Sequence, residues 1–103
     1  MAISSAEASY MQLNSSAVAD NVLGNVATFS NKTLATPPAS FPPLKLEDFE
    51  VYLNNRRVPV SLVSSILQNG SNIDVAFDVA SFLEIPSATL ETDDEILLIG
   101  KFN

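Results

Sequence analysis

Residues 49–53, Phe49-Glu50-Val51-Tyr52-Leu53, alternate apolar and polar side chains. That period places Phe49, Val51 and Leu53 on one face of a predicted strand. Asn54-Asn55 follows, and Asn tolerates the left-handed backbone that a tight hairpin turn needs. Arg56-Arg57-Val58 then returns as a second strand. Pro59 cannot donate to a ladder, so this return strand is expected to be short or at an edge. The apolar run over residues 60–67 fits neither the helical nor the strand period. Gln68-Asn69-Gly70-Ser71 is the strongest turn signal in the chain, and Ile73, Val75 and Phe77 alternate strictly after it. A second hairpin is predicted, closed by Asn69-Gly70 with positive φ at both residues. Residues 79–83 are expected to add one helical turn, Ile85-Pro86 to open a loop and Thr92-Asp93-Asp94 to turn the chain again. The last strand spans residues 95–102. Its Ile96-Leu97-Leu98-Ile99 run has no polar face, so it is expected at the centre of the fold, covered on both sides.

The first 43 residues have a different character. They carry only Glu7, Asp20 and Lys32 as charges, and end in Thr36-Pro37-Pro38-Ala39-Ser40-Phe41-Pro42-Pro43. The prolines remove donors and favour an extended path. A buried Phe41 would pin such a strap to a surface. Ser4-Ser5-Ala6-Glu7 matches a capping box, which predicts a short helix over residues 5–13 with Tyr10 and Leu13 on one face. Val22, Leu23, Val26 and Phe29 are interrupted by Gly24, with a strand predicted over residues 27–30. So few apolar groups cannot make their own core. The segment must lie on the second half, lie on a neighbour or stay mobile. The expected organisation is therefore an N-terminal arm and Pro-rich strap over 1–43 and a β-domain over 44–103. The fold class is mainly β: a small antiparallel sheet or sandwich of hairpins with an extended N-terminal arm and at most one or two short helices. The arm is assigned to assembly, with Val22, Leu23, Val26, Phe29 and Phe41 as docking groups. A chain starting at Leu44 is predicted to fold alone.

Composition narrows the chemistry. The 103 residues contain no His and no Cys. The commonest general base, the commonest zinc ligand and every thiolate site are thereby absent. Ser61, Ser64 and Ser65 have no His or evident Lys partner to activate them. No Gly-rich phosphate loop is present. No enzymatic activity, cofactor or metal is expected. Twelve acids against five bases give a net charge of −7. Such a chain repels a phosphate backbone and an anionic membrane, so neither nucleic acid nor membrane is expected as a partner. The N-terminal MAISSAEASYMQL lacks a basic region followed by an apolar one, so no secretory signal is expected. No run of eighteen apolar residues predicts a transmembrane helix.

Two clusters admit alternative readings. Asp74 and Asp78, with Asp93-Asp94-Glu95, supply either calcium ligands or a solvated face with charges guarding the aliphatic run. Arg56-Arg57 is either an anchor for acidic groups on a partner or an intramolecular pair for Glu47, Asp48 or Glu50.

The layout of residues 44–103 resembles a small β-module of tailed-phage virion structural proteins, of decoration, neck or tail-fibre type. There a strand of the form F-x-V-x-L-N-G runs into a hairpin, a second hairpin follows, and x-D-x-I-x-V introduces the last strand. Here these read Phe49-Glu50-Val51-Tyr52-Leu53-Asn54-Asn55 and Asp93-Asp94-Glu95-Ile96-Leu97-Leu98-Ile99-Gly100. Asn55 departs from the Gly of the pattern. The resemblance implies a virion structural subunit, made in the host cytoplasm and incorporated in the particle. It also implies contacts to identical subunits and other virion proteins, as a homo-oligomer, and carries over no catalytic residue. Two other functions compete: a small soluble adaptor presenting a hairpin tip, and an enzyme working through carboxylates alone.

Overall fold

Two hairpin-built sheets share one core. The computed structural model describes residues 14–103. The capping-box helix expected over residues 5–13 lies outside the described residues. In the first sheet β4 (Glu50–Leu53) and β5 (Arg56–Val58) flank Asn54-Asn55, whose φ values are 50° and 70°. Positive φ at both central residues is type I′ geometry, whose twist matches that of the flanking strands. The Asn54 side chain adds a second reason for Asn there. Its Nδ2 donates to Asp94 Oδ1 at 3.0 Å, and its Oδ1 accepts from the Glu95 N–H at 2.9 Å. The hairpin tip is thereby tied to the entry of β8 (Ile96–Gly100), which lies between β4 and β1 (Ser15–Val18). All pairings are antiparallel, in the order β1-β8-β4-β5.

The second sheet is ordered β2-β3-β7-β6, from β2 (Asn21–Leu23), β3 (Val26–Phe29), β7 (Asn72–Phe77) and β6 (Val63–Asn69). The β6–β7 hairpin exists, but its turn differs from the expected one. Asn69 pairs with Asn72, so Gly70-Ser71 are the central residues, and only Gly70 has positive φ, at 60°. Gly at the first central position is type II′ chemistry. The ladder extends through Asn69, and the glycine takes the left-handed position, where it has no Cβ to clash. Gly70→Ala is expected to destabilise the protein by about 1–2 kcal/mol, whereas Ser71→Ala is expected to be near neutral. Paired thermal melts check this. Gly24-Asn25 closes the β2–β3 hairpin the same way, with φ 61° at Gly24.

The aperiodic run over residues 60–67 has two causes. Val60–Leu62 is a 3₁₀ turn, and β6 carries a bulge between Val63 and Ser65 that shifts its register. A single-turn helix α1 (Val79–Leu83) follows β7, as expected. Asp78 caps it, accepting from the Ser81 N–H at 3.1 Å and from the Ser81 hydroxyl at 2.7 Å. The hydroxyl first, then the backbone N–H, hold the Asp78 carboxyl below its ordinary range. A depressed pKa means the fold favours the carboxylate. The stabilisation is therefore present above the ordinary aspartate range and lost as pH falls through the lowered value. Ser81→Ala is expected to move the Asp78 titration, followed by carboxyl NMR shifts, back toward the ordinary range.

The core is one cluster drawn from the inner faces of both sheets. Val51, Leu53, Ile96 and Leu98 of the first meet Phe29, Ile73, Val75 and Phe77 of the second, with Phe49, Val79 and Phe102. The expected inward sets of β4 and β7 are thus correct. In β8, Ile96 and Leu98 are buried, while Leu97 and Ile99 are half-buried. Among the described residues no third layer of strands or helices covers this outer face. Its shelter comes from side neighbours in the ladder: Val18 and Tyr52 beside Leu97, and Ser16 and Glu50 beside Ile99.

The expectation of an extended arm over residues 1–43 and a separate β-domain over 44–103 needs correction for residues 15–29. These residues form β1, β2 and β3, and contribute to both sheets. Two adjacent positions on one strand face, Ala27 and Phe29, are fully buried. A segment of low apolar content can be integral when its ladder is completed by others. Without β1, β8 keeps only β4 as a neighbour, and without β3, β7 keeps only β6. The segment that holds the Pro-rich stretch has no regular element between Phe29 and the 3₁₀ turn Leu46–Asp48. Its start is tied to the C-terminal strand end. Thr33 and Asn103 exchange backbone hydrogen bonds of 2.8 Å, and Ala35 N–H donates to the Lys101 carbonyl at 3.0 Å. Gln68 completes this closure. Its Oε1 accepts from the Leu34 N–H at 2.7 Å, and its Nε2 donates to the Lys32 carbonyl at 2.9 Å.

Candidate protein-contact surface

The sequence-predicted contact residues do not form one site. Leu23 projects from the β2–β3 tip at 84% exposure, and Val22 and Val26 beside it are half-buried. Phe29 is fully buried between the sheets and cannot meet a partner, which removes it from the docking set. Its β3 position follows the strand alternation that buries Ala27. Phe41 is half-buried in the strap, on neither hairpin.

Arg56 and Arg57 are exposed in β5 of the other sheet. Of the acids considered for intramolecular pairing, Glu50 is the one reached, and Arg57 is the arginine that reaches it. Arg57 Nη1 lies 3.8 Å from Glu50 Oε1, and the Arg56 guanidinium sits 4.9 Å from the Phe82 ring centroid. Tyr52 donates its hydroxyl to the same Glu50 oxygen at 2.6 Å. That hydrogen bond, with some burial and the Glu50 charge, raises the Tyr52 pKa against the opposing effect of Arg57. The ion pair is long and solvated and contributes little to stability.

Of the two acidic clusters, Asp74, Asp78 and Asp94 accept hydrogen bonds from neighbouring side chains and turn amides. Asp74 accepts from Thr28 Oγ1 at 2.9 Å and Asn69 Nδ2 at 3.0 Å. Asp94 accepts from the Glu91 N–H at 2.8 Å in addition to Asn54. Among the described residues no group of three or more His, Cys, Asp or Glu is arranged to hold a metal. No described helix is long and apolar enough to cross a membrane.

What the sequence reading missed lies along β6. A largely apolar groove of about 340 Å³ runs between β6 and residues 44–49, bounded by Leu34, Leu44, Leu46, Phe49, Ile66 and Leu67, with Lys45 also in its lining. Leu67 is 60% exposed at its lip. Among the described residues β6 is the longest strand and lies at a sheet edge, and its seven residues, Val63-Ser64-Ser65-Ile66-Leu67-Gln68-Asn69, include no charge and no Pro. The missed signal was that absence of charge in a chain with net −7. A second, polar recess of about 100 Å³ lies at Ala19, Asp20, Asn21, Val22, Thr92 and Asp94. Asp20 there accepts from the Ser30 N–H at 2.7 Å, a turn-closing bond.

No protein-family model, curated protein or solved structure matches the chain.

Proposed function

We propose that this chain is a non-enzymatic structural subunit of a tailed-phage particle, a capsid-decoration or neck/tail component that works by protein–protein contact. The observation that carries the contact role is the uncharged β6 edge with its apolar groove and exposed Leu67. Edge strands in proteins that remain single are usually blunted by charge, Pro or shortness, and this one is not. The phage assignment draws on the strand layout. The two motif segments, residues 49–55 and 93–100, are neighbours in space, with Leu53 opposite Ile96. The acidic surface suits a protein present in many copies, since like charges oppose indiscriminate association while an uncharged patch directs it. Identical subunits and other virion proteins are the partners in this reading, and the virion is its location. Density-gradient fractionation of particles tests it: the chain bands with intact particles. Recovery only in the particle-free fractions favours a small soluble adaptor module instead.

A further inference from the structure

We infer that β6 is a strand-pairing edge that joins two copies of this chain across a two-fold axis at Leu67. The inference rests on the contact-protein reading and names its surface and its partner.

The orientation of the backbone groups follows from the β7 pairing. Phe77 N–H donates to the Asn25 carbonyl at 3.1 Å, so the odd-numbered amides of β7 point toward β3. The even-numbered ones therefore face β6, where Asn72 meets Asn69, Asp74 meets Leu67 and Ala76 meets Ser65. In an antiparallel ladder, bonded and non-bonded pairs alternate. Ile66 and Gln68 consequently aim their N–H and C=O groups away from the sheet. β6 pairs with β7 alone, and no backbone bond from Ile66 or Gln68 to another segment is formed among the described residues.

Among the described residues the other three edge strands are short. β2 and β5 have three residues each and β1 has four. β5 also carries Arg56 and Arg57 and runs into Pro59. Among the described residues only β6 offers an extended, uncharged edge, and its bulge is confined to the start of the strand, leaving residues 65–69 regular. Such an edge is a template for another strand.

The occupant follows from self-complementarity and charge. A two-fold through Leu67 sets Ile66 opposite Gln68 of the second copy and Gln68 opposite Ile66 of the second copy. Each of these pairs has both members' groups pointing outward, so each can exchange two hydrogen bonds. Leu67 then faces Leu67 of the second copy as a non-bonded pair, the closer kind, and two exposed leucines cover one another. Two bodies of charge −7 repel, which favours a contact between copies where charge is absent. β6 is such a place. The result is one continuous eight-stranded sheet spanning two copies.

Sedimentation equilibrium of the full chain, up to millimolar concentration, is expected to give twice the monomer mass. Leu67→Lys is expected to return the mass to that of the monomer with an unchanged circular dichroism spectrum. On association of the unmodified chain, amide exchange at Ile66 and Gln68 is expected to slow, while that at Leu67, already bonded to β7, changes little. Leu67→Cys introduces a single thiol into a chain that has none. The non-bonded pair separation of about 4.5 Å between Cα atoms lies within the disulfide range, so oxidation is expected to yield a covalent dimer, and Leu23→Cys is not. A monomer at every concentration overturns the inference, as does doubled mass in Leu67→Lys or association without protection of Ile66 and Gln68. A monomer that nevertheless bands with particles sinks this inference alone. A β6 dimer that never bands with particles sinks the virion reading alone.

Discussion

A chain that begins at Leu44 is expected to lack a cooperative fold. Truncation there removes β1, β2 and β3 together. β8 then has a bare ladder edge along the run Ile96-Leu97-Leu98-Ile99, and β7 loses its pairing with β3. The core loses Phe29 and Ala27 outright and opens around Ile73 and Val75. Burying one Phe is worth roughly 1.5–3 kcal/mol, and the total stability of a small domain is about 5–15 kcal/mol. Losing three strands, their ladder bonds and that side chain removes most of such a margin. Thermal melts followed by circular dichroism check the point. A sigmoidal transition in the truncated chain would show that residues 15–29 only decorate an autonomous domain.

The second large effect is expected at Leu98. Its side chain is fully buried, and its backbone sits between Ala17 of β1 and Val51 of β4. Leu98→Ala leaves a cavity that the neighbouring strands cannot collapse into without breaking register, at a cost of about 2–5 kcal/mol. Leu97→Ala removes the same atoms from the half-buried outer face and is expected to cost clearly less. Urea midpoints for the two variants measure the difference. Equal shifts would mean that the inner face of β8 is no more sheltered than the outer one.

The elements most legible in the sequence were those where two local signals agreed. Alternation over residues 49–53 together with Asn54-Asn55 specified the β4–β5 hairpin, and alternation at Ile73, Val75 and Phe77 after a Gly-containing turn specified β7. The turn itself was misplaced by one residue. Asn-Gly read as the central pair is a stronger pattern than Gly-Ser, yet the ladder kept Asn69 and left the turn to Gly70-Ser71. Gly24-Asn25 has the same Gly-first chemistry, so the glycine that interrupts the apolar run is a hairpin tip. β1 was not legible at all. Ser15-Ser16-Ala17-Val18 has little strand preference of its own, and it is extended because β8 requires a neighbour. That is a long-range demand, and no local window contains it. It also explains why Phe29 was assigned to a partner when its place is in the core. The contact edge went unread for a related reason. A strand's pairing status is a property of the sheet, so the uncharged run in β6 acquired meaning only once β6 was seen to lie outermost.

The structural-subunit reading stands or falls most directly on stoichiometry. Quantitative mass spectrometry of purified particles, normalised to the major shell protein, is expected to give a fixed copy number for this chain that repeats between preparations and survives high-salt washing. Uncharged strand pairing and apolar docking resist salt, whereas a chain held by surface charge does not. A copy number that drifts between preparations, or a chain that washes away, would contradict the account.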